Sequence, residues 1–131
     1  MNEVDILTKA DAISVVKENK TMVNYFLFDE FEIHQNKIPP HSKQEWHSHN
    51  LIEEVIVVTG GEICVRWKED SKLNCSTVSK GAVIRVKKSI HTIENRTDDF
   101  AEFIVFRMVP DGKDKRDIIK NDKVVINIDS E

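Results

Sequence analysis

What this chain of 131 residues lacks narrows its possible roles before any motif is considered. Its two cysteines, Cys64 and Cys75, are too few for a disulfide scaffold and too far apart for a C-x-x-C zinc or redox motif. Both are expected to be reduced and structural, although a two-residue hairpin at Glu69-Asp70 would bring them across from each other. The longest apolar runs are four residues, at 55 to 58 and 103 to 106, so no stretch is long enough to span a bilayer as a helix. The opening residues M-N-E-V-D-I-L-T-K-A-D are acidic and hold no apolar stretch of the kind a secretory signal needs, which makes a cytoplasmic location the expectation. Basic clusters are missing as well. Nineteen Lys and Arg are scattered among 23 Asp and Glu, for a net charge of −4 and a pI near 5.7, which argues against nucleic acid or an anionic membrane as partner. No repeat or low-complexity segment divides the chain, so residues 1 to 131 are expected to form one domain with one core.

What is present concentrates between residues 45 and 62, E-W-H-S-H-N-L-I-E-E-V-I-V-V-T-G-G-E. His47 and His49 share a face if the segment is extended, because strand side chains alternate, and so form a chelating edge. Glu54 follows five residues after His49, then the apolar run 55 to 58 of a buried strand, then Gly60-Gly61 as a turn. Downstream, His91 lies in a second extended segment with Asn95 four residues on. Three neutral imidazoles and one carboxylate are a borderline ligand set, suited to a divalent transition metal such as Fe, Mn, Ni, Co or Zn rather than to Ca or Mg.

The spacing H-x-H-x4-E-x6-G, met by His47, His49, Glu54 and Gly61, resembles the first motif of the cupins. A second cupin motif is approached by Gly81, the strand 83 to 86, Lys87-Lys88-Ser89, His91 and Asn95, although the turn lacks the usual proline and glycine and is one residue short. The resemblance covers roughly residues 38 to 108, and two motifs in order are far more specific than either alone. It implies an all-β fold, a double-stranded β-helix or jelly-roll barrel, with His47, His49, Glu54 and His91 holding one metal in its mouth. It also implies a small-molecule substrate. Two enzyme classes are open, oxygen-dependent cleavage at Fe and Lewis-acid isomerisation or elimination on a sugar-like or hydroxy-acid substrate; non-catalytic ligand binding or sensing is the alternative. Glu53 with Gly60 offers a competing x3 frame, but adjacent strand residues face opposite ways and x4 is the commoner spacing, so Glu54 is the expected ligand.

Outside the motifs, Thr8 and Asp11 suggest a short capped helix near the N-terminus. Residues 25 to 33 alternate loosely as an edge strand, and Pro39-Pro40 forbids a central strand there. From residue 43, strands are expected at 43 to 49, 53 to 59, 62 to 68, 73 to 78, 82 to 87, 91 to 96 and 100 to 108. A solvated charged run spans 113 to 117, and residues 123 to 128 read as a last strand. Terminal extensions, 1 to 33 and 111 to 131, lie outside the barrel motifs; within them residues 1 to 33 and 118 to 128 are apolar-rich and suggest a two-fold homodimer in which they extend or pack against the partner's sheet. Strand parity puts Glu45 on the face of His47 and His49, which makes it the candidate general base.

Overall fold

The computed structural model describes residues 3 to 128. Among these residues ten strands form two antiparallel sheets that pack face to face. They are β1 (Ile13–Val16), β2 (Met22–Leu27), β3 (Phe31–Ile38), β4 (Ser42–Lys43), β5 (Glu53–Gly60), β6 (Glu62–Glu69), β7 (Lys72–Ser79), β8 (Val83–Arg85), β9 (Ile90–Asn95) and β10 (Ala101–Met108). One sheet runs β1-β2-β3-β10-β5-β8 and the other β4-β9-β6-β7. A short helix α1, Arg116–Asn121, follows.

Alternation decides which side chains meet between the sheets. From the larger sheet come Ile38, Ile56, Val58, Ala101, Phe103 and Val105; Ile63, Val65 and Ile93 face them from the smaller one, and Val86 joins the same cluster. These apolar residues fill one end of the sandwich. At the other end the same inward parity carries polar residues: Glu54 on β5, His34 and Asn36 on β3, His91 on β9 and Arg107 on β10. The polar mouth is thus built on strands that the apolar core anchors.

Turn chemistry sets the registers. Gly61 alone makes the corner between β5 and β6 at φ 70°, and a Cβ there would lie 2.9 Å from the Phe100 carbonyl oxygen, so only glycine fits. Before β9, where the sequence has neither glycine nor proline, Lys87 adopts φ 53° and the Ser89 hydroxyl donates to the Val86 carbonyl at 2.6 Å. Asn95 pins the loop on the far side of β9. Its side-chain amide donates to the carbonyls of Ile38 (3.1 Å) and Asp99 (2.7 Å), while its oxygen accepts from the Thr97 backbone at 3.0 Å.

Several expectations are corrected. No N-terminal helix forms among the described residues; a 3-10 turn, Lys9–Asp11, leads into β1, because Ile13, Val15 and Val16 are β-branched and suit a strand. The segment 25 to 33 is two strands, β2 and β3, joined through Asp29-Glu30. The strand expected at 43 to 49 shrinks to β4 plus one bridge between His47 and His91. Residues 123 to 128 form no strand. The charged run 113 to 117 is exposed, and α1 begins at its end.

The cysteines are not free: Cys64 and Cys75 are joined in a disulfide. Asp70 and Ser71, at φ 51° and 66°, make the two-residue turn, so Cys64 pairs with Thr77 and Cys75 with Arg66. The cysteines are therefore diagonal neighbours on one face, with Cα atoms 6.5 Å apart, within reach of a bridge. Compartment had decided the expectation; register decides the pairing.

Candidate metal centre

Side chains from three places converge in the mouth. His47 and His49 lie on the segment between β4 and β5, Glu54 is the second residue of β5, and His91 is the second of β9. One ligand atom from each of the four lies within 4.8 Å of all the others. Backbone pairing creates part of this. The His47 N–H donates to the His91 carbonyl at 3.0 Å and the His91 N–H to the His47 carbonyl at 2.9 Å, so the two imidazoles sit side by side with centroids 4.4 Å apart.

The ring nitrogens away from the centre are engaged. Nδ1 of His47 lies 3.0 Å from the Glu45 carbonyl, and Nδ1 of His91 lies 3.0 Å from the Ser89 carbonyl. A carbonyl only accepts, so Nδ1 carries the proton in both rings and Nε2 presents a lone pair inward. Nε2 of His49 and of His91 are buried without a hydrogen-bond partner, although Glu54 oxygens lie 3.2 and 3.5 Å away. Orphaned lone pairs facing a carboxylate are expensive for a protein interior and suit a cation between them.

Glu54 is 3% exposed and accepts from Nε–H of Arg107 at 2.7 Å. Burial pushes its carboxyl up, but His91, Arg107 and His49 together outweigh burial and hold it down at about 2. It is ionised, as a ligand must be. Burial pushes the His49 imidazole below its ordinary value, which favours the neutral form that ligates. Glu53 faces outward, where Arg85 grips it through two bonds of 3.0 and 2.7 Å. The four expected ligand residues are thus brought together, and Glu53 is kept apart.

A cavity of about 630 Å³ opens beside the cluster, in the size range of small-molecule sites. Ile56, Ile93, Phe103 and Val105 give it an apolar floor. Glu45 lines it as an exposed residue of the mouth, while Trp46 turns away and stacks on the Arg66 guanidinium, 5.4 Å from the ring centroid. Arg107, His34 and Asn36 also line it and were missed by the sequence reading. A signal for Arg107 existed, since it continues the inward parity of Ala101, Phe103 and Val105. His34 and Asn36 lie beyond residue 33, where the alternation legible in the sequence stops, while β3 continues to Ile38.

No protein-family model matches the sequence, and neither does any curated protein. Solved structures do match. A predicted oxalate decarboxylase from Thermotoga maritima has a TM-score of 0.69 at 17% identity, with 81% of this chain and 100% of that one covered. A Cupin 2 conserved barrel domain protein from Salinispora arenicola has a TM-score of 0.61 at 17% identity, with coverages of 82% and 89%. The Drosophila melanogaster CENP-C cumin domain reaches 0.68 at 14% identity, with coverages of 80% and 78%. The chain has the cupin fold, with a His-His-Glu-His group able to hold a metal ion. Proteins as different as an oxalate decarboxylase and a CENP-C domain share that fold, so it does not choose an activity.

Proposed function

We propose that the chain acts on a small molecule at one divalent transition metal, Fe, Mn, Ni, Co or Zn, held by His47, His49, Glu54 and His91. The observation that carries this is the pair of buried, unpartnered Nε2 atoms facing an ionised Glu54. Such a metal supplies either oxygen activation or Lewis-acid polarisation of a chelating substrate. The protein supplies the rest: a cavity of small-molecule size, an apolar floor that limits water, and Glu45 at the mouth as general base.

Elemental analysis of the purified protein, followed by turnover assays against diols, catechols, thiols and uronates, tests the proposal. Iron with oxygen uptake supports a dioxygenase. Manganese, nickel or zinc with anaerobic turnover supports an isomerase or lyase, and Glu45→Gln should then keep its metal and lose kcat. A bound metal with ligand binding but no turnover would move the chain to the non-catalytic alternative. A protein that takes up no divalent metal overturns the proposal.

We also propose a two-fold homodimer. Ile118, Ile119, Val124, Val125, Ile126 and Ile128 are 67 to 80% exposed, and β1 leaves one edge unpaired with Ile13 and Val16 exposed. Exposed apolar patches and open sheet edges mark interaction surfaces. An apolar tail and an open edge on the same chain support reciprocal exchange, which covers both features at once. No described helix is long and apolar enough to cross a membrane.

A further inference from the structure

The inner wall of the cavity, running from the metal-site Glu54 across the larger sheet, carries an ordered row of charged and titratable groups. Register places Glu32, Arg107 and Glu54 side by side on β3, β10 and β5, with His34, Val105 and Ile56 in the next inward row. Arg107 is committed to Glu54 through Nε. Glu32 is committed to His34, whose Nε2 lies 2.9 Å from Glu32 Oε1. A carboxylate accepts, so that nitrogen carries the proton and Nδ1 of His34 is the bare one. Nδ1 has no hydrogen-bond partner among the described residues, and His34 is a wall residue of the cavity although only 5% exposed. Tyr25 stands edge-on to the imidazole with centroids 4.5 Å apart, which fixes its plane.

A buried histidine on the wall of a ligand cavity, oriented by a carboxylate at one ring nitrogen and unpartnered at the other, is the arrangement of a general base. We propose that His34 is a second proton-handling group of this site, oriented by Glu32, and that it serves the part of the ligand remote from the metal. The proposal rests on the metal-centred reading above. Strands β3 and β5 are two places apart, so their backbones are about 10 Å apart across the sheet. A ligand that chelates at the metal and reaches His34 therefore needs a short carbon skeleton between the two. Hydroxy acids and small sugar-like polyols meet that requirement. In the step proposed, an O–H or C–H bond of the ligand breaks, its electron pair stays on the ligand, and the proton passes to Nδ1. Glu32 stabilises the imidazolium that forms. Return of that proton to the neighbouring carbon, with the hydroxyl proton passing between the two ligand oxygens, completes an isomerisation; its delivery to a departing hydroxyl, which leaves as water, completes an elimination, and neither needs a further reactant. Glu45 is at the exposed mouth and His34 on the inner wall, so the two address different ends of a bound molecule. Glu32 acts through His34 and is a positioning residue.

Nitrogen NMR of ¹⁵N-histidine-labelled protein, loaded with zinc, tests this without any turnover. His34 is expected to show a protonated Nε2 and a bare Nδ1, and Glu32→Gln should abolish that preference. Glycolate, glyceraldehyde and catechol are then titrated in. A probe that shifts the metal-site histidines should also shift Nδ1 of His34, and His34→Gln should bind that probe about tenfold more weakly while keeping its zinc, the loss of one good hydrogen bond. If His34 carries its proton on Nδ1, or stays silent while the metal-site histidines respond, the inference is wrong and the metal site stands. If no probe perturbs the metal-site histidines, the small-molecule reading itself fails. The tautomer measurement needs only the unmutated protein, so poor folding of a variant does not blunt the test.

Discussion

Replacing Glu54 by Gln in the metal-free protein should change how stability responds to acid. The Glu54 carboxyl is held at about 2, against an ordinary 4.5, because His91, Arg107 and His49 outweigh the upward push of burial. A folded-state pKa below the unfolded value means the unfolded chain takes up the proton first. The stabilisation is therefore fully present above about 4.5 and drains away as pH falls toward 2. At 1.36 kcal/mol per tenfold change in proton affinity, the group contributes about 3 kcal/mol at neutral pH. Solvent screening takes little from this, since Glu54 is 3% exposed. Other carboxyls are also held below their ordinary values, Glu53 by Arg85 and, against the upward push of burial, Glu94 by Arg96 and Arg66. Those groups are common to both proteins, so the difference between wild type and Glu54→Gln isolates the one carboxyl. Arg107 stays charged throughout, and the loss of its partner is a constant offset in the variant. Urea unfolding in the presence of a chelator, at pH 5, 4 and 2.5, is the assay. The advantage of wild type over Glu54→Gln should shrink by most of about 3 kcal/mol between pH 5 and 2.5. A constant advantage across that range would refute the claim that Glu54 is buried, ionised and paired before metal arrives.

Other tests address the scaffold. Gly61→Ala forces a Cβ to within 2.9 Å of the Phe100 carbonyl oxygen at φ 70°, and should cost about 2 kcal/mol or more in chemical denaturation; Gly81→Ala, at φ 98° with nothing within 4 Å, should cost less. Alkylation of the protein under denaturing, non-reducing conditions should find no free thiol. Because the bridge closes a loop of 11 residues, its reduction should lower stability by about 3 kcal/mol. Light scattering at micromolar concentration should show a dimer, and Val125→Lys combined with Ile126→Lys should turn it into a folded monomer. A wild-type monomer would remove the dimer proposal.

The sequence was most legible where spacing and alternation coincide. His47, His49, Glu54 and His91 were identifiable because a two-residue period and a known motif spacing agreed, and Glu53 fell out by parity. The strands from 53 to 108 were readable to within a residue or two at each end, with β8 half its expected length because it loses one residue at its start and two at its end. What was hidden depends on tertiary register. Arg107, Glu32 and His34 acquire meaning only once β10 is known to lie between β3 and β5. The bridge between Cys64 and Cys75 follows from a diagonal register that the hairpin turn sets. At the N-terminus, capping residues were present but commit only one 3-10 turn, and the β-branched residues after it decide for strand. Residues 123 to 128 carry a strand's composition without a neighbouring strand to pair with, which is why composition misleads there.

Metal stoichiometry in the two glutamate variants tests the central claim most directly. Elemental analysis of wild type, Glu53→Ala and Glu54→Ala, each reconstituted with divalent metal and desalted, should give one ion per chain in wild type and Glu53→Ala and nearly none in Glu54→Ala. No metal in any of the three, or metal kept by Glu54→Ala and lost by Glu53→Ala, would contradict it.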